Sequence, residues 1–281
     1  MKINVKIFIL NWNGGAVLID CLESVFKIQY KNLDIIVIDN NSSDNSINDI
    51  HIKFPGVQVI ALNDNYGYAK AYNKAFELTG YSEDSFFMLL NNDTIVDINI
   101  IDELLNTKKK LDIKKYIFGP KIYYLNNPEI IWYSGGRVNL PIGMIEHIGI
   151  RQKDDLDISS LTLTDYITGC CIFTHSLNIE KLNGFDERFN MYCEDVDFSI
   201  RAINSGVKCI YVPDAILWHK VSNSFSNEFS FSKISLKFSS ILKLYKKHVK
   251  WNKRYFGLVL VLFRNLFSAV KLLFARFNKS N

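Results

Sequence analysis

No uninterrupted run of about 18 apolar residues occurs in the chain, so no clear transmembrane helix is expected. Cysteine is scarce: five residues, at positions 21, 170, 171, 193 and 209, an odd number with no C-x-x-C pair. That excludes a disulfide scaffold, argues against a zinc site and fits a reducing compartment. Disordered and collagen-like chains are excluded as well, because 48% of the 281 residues are hydrophobic and only 22% charged. Neither G-x-G-x-x-G nor G-x-x-x-x-G-K-[ST] is present, so there is no dinucleotide fingerprint and no P-loop. Acid is missing from the C-terminal part. Residues 229–281 carry 12 of the 33 Lys+Arg and none of the 29 Asp+Glu, a net +12 against −8 for residues 1–228. A uniformly basic nucleic-acid binder would not divide its charge this way, and no nucleic-acid partner is expected. An acidic body with a basic, aromatic-rich end points instead to an anionic surface as that end's partner.

What is present is an alternation of strand and helix patterns. The N-terminal MKINVKIFILNWNGG lacks a small-residue cleavage site and reads as a first strand, Val5–Leu10, rather than a signal peptide. Apolar positions from Val17 to Phe26 then recur at helical spacing. Strands are expected at Ile35–Ile38, Val57–Leu62 and Phe86–Leu90, and helices at Ser46–Phe54, Ala69–Leu78 and Ile95–Leu111. Strands built from Val, Ile, Phe and Leu, each followed by a helix, predict a parallel sheet covered on both faces. Farther on, Ile131–Val138 and Met144–Ile150 predict a hairpin around Pro141 and Gly143, and Thr164–Thr174 another strand region. Glu194–Asn204 predicts a helix, Lys208–Val212 and Ala215–Trp218 short strands, and Val221–Ser232 a linker.

Ligands of such sheets bind at the carboxyl ends of the strands. Four successive strands end in Asn11-Trp12-Asn13-Gly14-Gly15, Asp39-Asn40-Asn41-Ser42, Asn63-Asp64-Asn65-Tyr66-Gly67 and Asn91-Asn92-Asp93-Thr94. Any one of these groups is accounted for by turns and helix caps. Four on one sheet edge predict a binding site. A nucleotide among acids and amides needs a cation to offset its diphosphate, and Asp93 is the natural oxygen ligand for Mg²⁺ or Mn²⁺. A second group, Asp186-Glu187 followed by Glu194-Asp195-Val196-Asp197, crowds five acids into twelve residues beside Phe189 and Tyr192. Acids in the first turn of a helix complement its dipole, but one of them can serve as a general base toward a sugar hydroxyl. His219 ends a short strand, where a lone histidine is more often structural than a ligand; here it could join Asp93 on a metal.

The series N-W-N-G-G, V-I-D-N-N-S-S-D, N-x-N-x-G-x-A-x-A-x-N (residues 63–73), L-L-N-N-D-T, T-G-C-C, G-F-D-E-R-F, Y-C-E-D-V-D-F-S-I-R-A and W-H-K-V-S resembles family 2 glycosyltransferases, in particular the bacterial rhamnosyltransferase-like members, over about residues 3–225. The resemblance implies an α/β GT-A fold, a nucleoside-diphosphate-sugar donor (dTDP- or UDP-linked), Mg²⁺ or Mn²⁺, and inversion at the anomeric carbon. It further implies that Asp39 meets the nucleobase and that Asn65 and Gly67 lie near the nucleoside. Asn11, Asn13, Asn91 and Asn92 would line the same nucleotide-sugar site, Asp93 and His219 would hold the metal, and Asp195 would be the catalytic base. Glu194 and Trp218 would stand on the acceptor side. The D-x-D-type element departs from the family pattern, reading Asn91-Asn92-Asp93 with one carboxylate. The Q-x-x-R-W signature of processive synthases is absent, which favours transfer of one or a few sugars.

Residues 1–228 are thus expected to form the catalytic domain and residues 229–281 a basic helical tail. Two helical stretches are expected there, Lys233 to about Lys250 and Tyr255 to Phe277. In the second, Arg264, Asn265, Ser268, Lys271 and Arg276 share one side at 100° per residue. A basic amphipathic helix of this kind lies in a membrane interface; packing on the catalytic domain or on a second subunit of a homodimer is the other reading. The expected function is addition of a sugar, rhamnose first and otherwise galactose, glucose or an N-acetylhexosamine, to a lipid-linked glycan at the cytoplasmic face of the membrane. A nucleotidyltransferase would need a basic phosphate loop near the first strand, which N-W-N-G-G lacks. An inactive nucleotide-sugar-binding protein would not need Asp93, Asp195 and His219.

Overall fold

The computed structural model describes residues 3–107, 115–154, 160–221 and 231–261, with no side-chain detail for 231–234. Its centre is a sheet whose first four long strands are β1 (Asn4–Asn11), β2 (Leu33–Asp39), β3 (Gln58–Ala61) and β4 (Ser85–Asn91). They run parallel in the order β3-β2-β1-β4. Helices α1 (Gly15–Val25), α2 (Ser46–Lys53) and α3 (Gly67–Thr79) connect them. The chain goes outward from β1 to β2 and β3, then returns to the other side of β1 for β4. The crevice at the carboxyl ends of β1 and β4 is therefore the point where the winding reverses, the place where open α/β sheets bind ligands.

Beyond β4 the sheet becomes mixed. Residues expected to start a helix at Ile95 instead form β5 (Thr94–Val96), and α4 (Ile100–Asn106) begins four residues after β5 ends. The β-branched Thr94-Ile95-Val96 pairs antiparallel with Leu217–His219, and Asp97 Oδ1 accepts from the Asn99 N–H to start the helix. Residues 108–111 of the expected helix lie outside the described residues. Next come β6 (Tyr116–Tyr124), β7 (Asn127–Tyr133), β8 (Gly136–Asn139) and β9 (Met144–His147). The expected hairpin is divided: β7 pairs with β6, and only β8 and β9 pair with each other, around Leu140–Ile142.

The Thr164–Thr174 region is likewise two strands, β10 (Thr162–Thr164) and β11 (Cys171–His175). Helix α5 (Ser176–Lys181) follows, then α6 (Glu194–Asn204), whose limits are those of the acid-led pattern. The two short strands around Pro213 are one strand, β12 (Lys208–His219), with a register irregularity between Val212 and Ile216 that accommodates the proline. β11 runs antiparallel to β4, and β12 runs parallel to β6.

One apolar cluster lies under α1 and α4, around Leu18, Leu22, Phe173 and Leu217, and another under α3, α5 and α6, around Phe8, Phe76, Ile179 and Phe198. A third joins Leu140, Tyr166, Phe189 and Val196 to Ile241, Leu244, Tyr245 and Val249. Those last residues belong to or follow α7 (Phe231–His248). The sequence set residues 229–281 apart, yet this helix is packed onto the α6 and hairpin region. Tyr245 Oη donates to the Leu140 carbonyl at 2.6 Å and Ser240 Oγ to the Met191 carbonyl at 2.8 Å. Lys247 Nζ lies 2.6 Å from Asp186 and 2.7 Å from Asp197, and His248 Nε2 lies 2.7 Å from Asp197. Two of the five crowded acids are therefore consumed by docking this helix. Truncation after Ser232 would strip the cover from a buried cluster, not release a free tail. After a break at Val249 and Lys250, residues 251–261 are helical again, and residues 262–281 lie outside the described residues.

Burial alone would raise the pKa of Asp197, but hydrogen bonds from His248, Lys247 and Arg201 hold it below its ordinary value. Asp186 is held low chiefly by Arg188, with Lys247 adding to the effect against burial. Carboxyls depressed by folding stabilise the folded state above their unfolded pKa, near 3.9, and lose that contribution as pH falls through the folded value. Lys247→Met is therefore expected to cost about 1–3 kcal/mol near neutral pH. The difference should shrink as acidification below about pH 4 protonates both acids. Thermal melts of both proteins across that range check it, and a difference constant with pH would contradict the ion-pair account.

Candidate active site

Asn11 ends β1 fully buried. Its Nδ2 donates to Ser42 Oγ at 3.1 Å and Ser46 Oγ at 3.0 Å, and its Oδ1 accepts from Asn92 Nδ2 at 3.0 Å. It is a knot between the loops after β1, β2 and β4. The knot leaves no room beside Gly14, where a Cβ would stand 2.3 Å from Asn11 Oδ1 and 2.6 Å from Asn92 Nδ2. Asn13, with φ +52°, accepts from the backbone N–H of Ser43 at 2.7 Å and so holds the loop after β2. Asp39 is nearly buried at the end of β2, its carboxylate accepting from the Ser42 N–H.

Asn40, which the sequence did not single out, receives the Tyr66 N–H on Oδ1 at 2.9 Å and gives Nδ2 to Asn65 Oδ1 at 2.9 Å. Gly67 has φ +72°, and a Cβ there would lie 2.5 Å from the Asn190 carbonyl. A side chain at Gly67 is excluded twice, by backbone conformation and by contact. Asn73, also not singled out, clamps the G-F-D-E segment: it accepts the Phe185 N–H at 2.8 Å and donates to Glu187 at 3.1 Å. These amides organise the edge as much as they line it.

Sheet register assembles the Asp93 group. Asp93 directly precedes β5, and antiparallel pairing sets Thr94 opposite His219. The Lys220 N–H donates to the Asp93 carbonyl at 2.7 Å. His219 Nε2 thereby lies 3.1 Å from Asp93 Oδ1. The close pair is not aligned as a hydrogen bond: Asp93 Oδ1 and His219 Nδ1 are both buried without a hydrogen-bond partner. A buried carboxylate oxygen left unpaired is costly unless something else meets it. No cluster of three or more His, Cys, Asp or Glu suited to a metal occurs among the described residues. Trp218 projects to the other face of β12 by strand alternation and stacks on Tyr123 at 6.4 Å between ring centroids. The structure does not bring it together with the acids.

Asp195 reaches the same edge from α6. Because β11 is antiparallel, the Thr168–Cys170 turn before it returns to the end of β4, where the Asn91 N–H donates to the Cys170 carbonyl at 3.1 Å. The Gly169 N–H then donates to Asp195 Oδ2 at 2.9 Å, and Tyr68 Oη donates to the Gly169 carbonyl at 2.7 Å. Two consecutive residues ahead of α6 have left-handed φ, Tyr192 at +70° and Cys193 at +66°. Strain of this kind persists only where surrounding structure holds it, and here it aims Glu194 and Asp195 in their directions.

Burial raises the Glu194 carboxyl, with the neighbouring Asp195 charge adding to the effect, and Glu194 Oε2 has no hydrogen-bond partner. Asp195 is partly exposed where it opens to a cavity, but enough protein surrounds it that desolvation raises its pKa against the Gly169 and Val196 N–H bonds. The cavity holds about 510 Å³ and is lined by Ile145, His147, Tyr166, Asp195, Lys237 and Ile241, among others. His147 is held neutral, its pKa lowered to about 4 mainly by burial. None of the hairpin or α7 residues of this cavity carried a recognisable signal, because the wall is drawn from segments far apart in sequence.

A sheet wound as 3-2-1-4 with Asn/Asp loops at its switch point, a carboxylate–imidazole pair on the next strands, and a carboxylate at a helix start together define the GT-A class of α/β fold. Residues 6–180 match glycosyl transferase family 2, and the chain belongs to that family. Rhamnosyltransferase WbbL of Escherichia coli is 28% identical over 160 residues, 55% of this chain and 59% of the relative. The N-acetylglucosaminyl-diphospho-decaprenol L-rhamnosyltransferase of Mycobacterium tuberculosis is 24% identical over 236 residues, covering 76% of this chain and 75% of its own. The solved structure of GalNAc-T7 with UDP, GalNAc and Mn²⁺ superposes with a TM-score of 0.71 at 16% identity, over 91% of this chain and 50% of that one.

Proposed function

We propose that this chain is an inverting, metal-dependent glycosyltransferase that moves a sugar from a nucleoside diphosphate to a lipid-linked glycan. The observation that carries it is the convergence of the Asp93–His219 pair and Asp195 on one sheet edge. Rhamnose from a dTDP- or UDP-linked donor is the first choice, supported by the two rhamnosyltransferase relatives. Galactosyl, glucosyl and N-acetylhexosaminyl donors are the alternatives. The unpaired Asp93 Oδ1 beside an imidazole nitrogen fits Mg²⁺ or Mn²⁺, with diphosphate oxygens and water as the other ligands. Such an ion, when bound, supplies Lewis-acid neutralisation of the leaving diphosphate.

The chain's own residues do the rest. Asp39, Asn13, Asn65 and Gly67 belong to the nucleotide side, and the Asn11–Asn92 knot holds the two loops at the spacing they need. Asp195 takes the proton from the acceptor hydroxyl as that oxygen attacks the anomeric carbon from the face opposite the diphosphate. Burial favours this by raising the affinity of Asp195 for the proton. Donor and acceptor held in line by the edge and the cavity supply much of the rate.

A lipid-linked acceptor requires the enzyme at a membrane. No described helix is long and apolar enough to span one, and peripheral association at the cytoplasmic face is the reading adopted. Trp251 and Tyr255 are 76% and 72% exposed on one helix face, with Phe256 beside them, next to Lys250, Lys253 and Arg254. Phe263, Arg264, Phe267, Lys271 and Phe274 of the expected interfacial helix lie outside the described residues.

Hydrolysis and thermal stabilisation with UDP-, dTDP- and GDP-sugars in the presence of Mn²⁺ test the donor. The anomeric configuration of the product made on an N-acetylglucosaminyl diphosphate lipid tests inversion. No response to any donor, or retention in the product, would defeat the reading.

A further inference from the structure

The cavity beside Asp195 is closed on one side by α7, the helix that charge alone would send to a membrane. Its wall joins three kinds of surface. Asp195, Tyr166 and His147 supply polar groups, Ile145, Ile241 and Val261 supply apolar ones, and Lys237 is the one cation among its lining residues. Three other basic groups of α7 are engaged. Lys247 and His248 are paired with Asp186 and Asp197, and Lys243 Nζ donates to the Arg188 carbonyl. Lys237 has no ion pair or hydrogen bond among the described residues, although Glu146 lines the same cavity. Its charge is near enough to bear on His147 and on Cys193, the residue that starts α6.

Lys237 is exposed at the cavity and shares its lining with the carboxylates Asp195 and Glu146, so an anionic group on a ligand would find its one cation at Lys237. The hydroxyl to be glycosylated must reach Asp195, so that anion has to sit a sugar's width away. A volume of about 510 Å³ falls within the range of small-ligand sites. We propose that this cavity takes the sugar-phosphate portion of the acceptor, with Lys237 binding the phosphate on the sugar's anomeric oxygen and Ile241 and Val261 bordering the start of its lipid. The assignment rests on the transfer reaction above and adds the chemical group that α7 recognises. α7 is then part of the acceptor site as well as cover for the core.

Steady-state transfer by the full-length protein tests it with three acceptors carrying N-acetylglucosamine: an isoprenyl diphosphate, the 1-phosphate alone, and a phosphate-free octyl glycoside. Wild type should show its lowest KM with phosphate-bearing acceptors. Lys237→Ala should raise that KM about tenfold or more. The change in kcat should be smaller, the KM for the octyl glycoside should move far less, and Lys237→Arg should recover most of the loss. Equal rescue with the 1-phosphate and the isoprenyl diphosphate would assign recognition to the phosphate itself, and a response to the isoprenyl diphosphate alone would assign it to the lipid headgroup. An unchanged KM in Lys237→Ala, or an equal loss for all three acceptors, overturns the phosphate assignment while the transferase reading stands. Wild type inactive toward all three would overturn both.

Discussion

Asp195→Asn is expected to lower the rate of sugar transfer by about 10²–10⁴, the range for loss of general-base help, while donor affinity stays close to wild type. The substitution keeps an oxygen able to accept from the Gly169 N–H, 2.9 Å away, so the start of α6 should hold its place. What it removes is the only step for which the carboxylate is needed, receipt of the acceptor proton. The pH profile adds a second check. Burial raises both Asp195 and Glu194. The acidic limb of kcat/KM should therefore lie above the ordinary carboxylate pKa of about 4. Glu194→Gln should leave that limb nearly in place, since burial and not a Glu194 charge is what raises Asp195. Near wild-type turnover in Asp195→Asn would remove it from the mechanism.

The second large effect concerns Asp93. Asp93→Ala should weaken donor binding by at least about tenfold and abolish the response to Mn²⁺. It removes the only carboxylate of the Asn91-Asn92-Asp93 element, whose buried oxygen has no hydrogen-bond partner. His219→Ala should act in the same direction with smaller effect, because an imidazole brings no negative charge to a cation and this one lies on the neighbouring strand. Calorimetry of donor binding with and without Mn²⁺ separates the two outcomes. If His219→Ala binds donor and metal like wild type, its role is limited to packing against Trp132, whose ring it meets edge-to-face at 4.5 Å.

Much of the site was legible because its chemistry sits at strand ends. A buried parallel strand announces itself as a short run of Val, Ile, Leu and Phe, and the polar residues after it have nowhere to go but the edge. The places of Asn11, Asp39, Asn65, Gly67, Asn92 and Asp93 at or just after strand ends are readable that way. The roles within the group were less legible. Asn11 is a wholly buried knot, and Asn40 and Asn73, inside motifs already noted, turn out to be the clamps. Local pattern also failed where a residue's fate depends on a distant partner. Thr94-Ile95-Val96 has helical neighbours in sequence but is drawn into a strand by Leu217–His219. Trp218 stands next to a predicted ligand yet faces away from it, since neighbours in a strand alternate.

By itself the sequence determined the alternating α/β layout, the polar edge and the acidic start of α6, because each is written in local spacing and residue type. It also determined the division of charge, which needs only counting. Tertiary structure decided which acids remain available. Lys247 and His248, some fifty residues along the chain, take Asp186 and Asp197 into ion pairs and leave Asp195 facing the cavity. It also decided that the basic C-terminal helix covers a core. Lys247 and His248 have acidic partners on the protein itself, and Leu244 and Tyr245 are buried there. Net charge describes a segment's affinity for any opposite surface, and only the packed chain shows that Lys247 and His248 meet one on the protein itself.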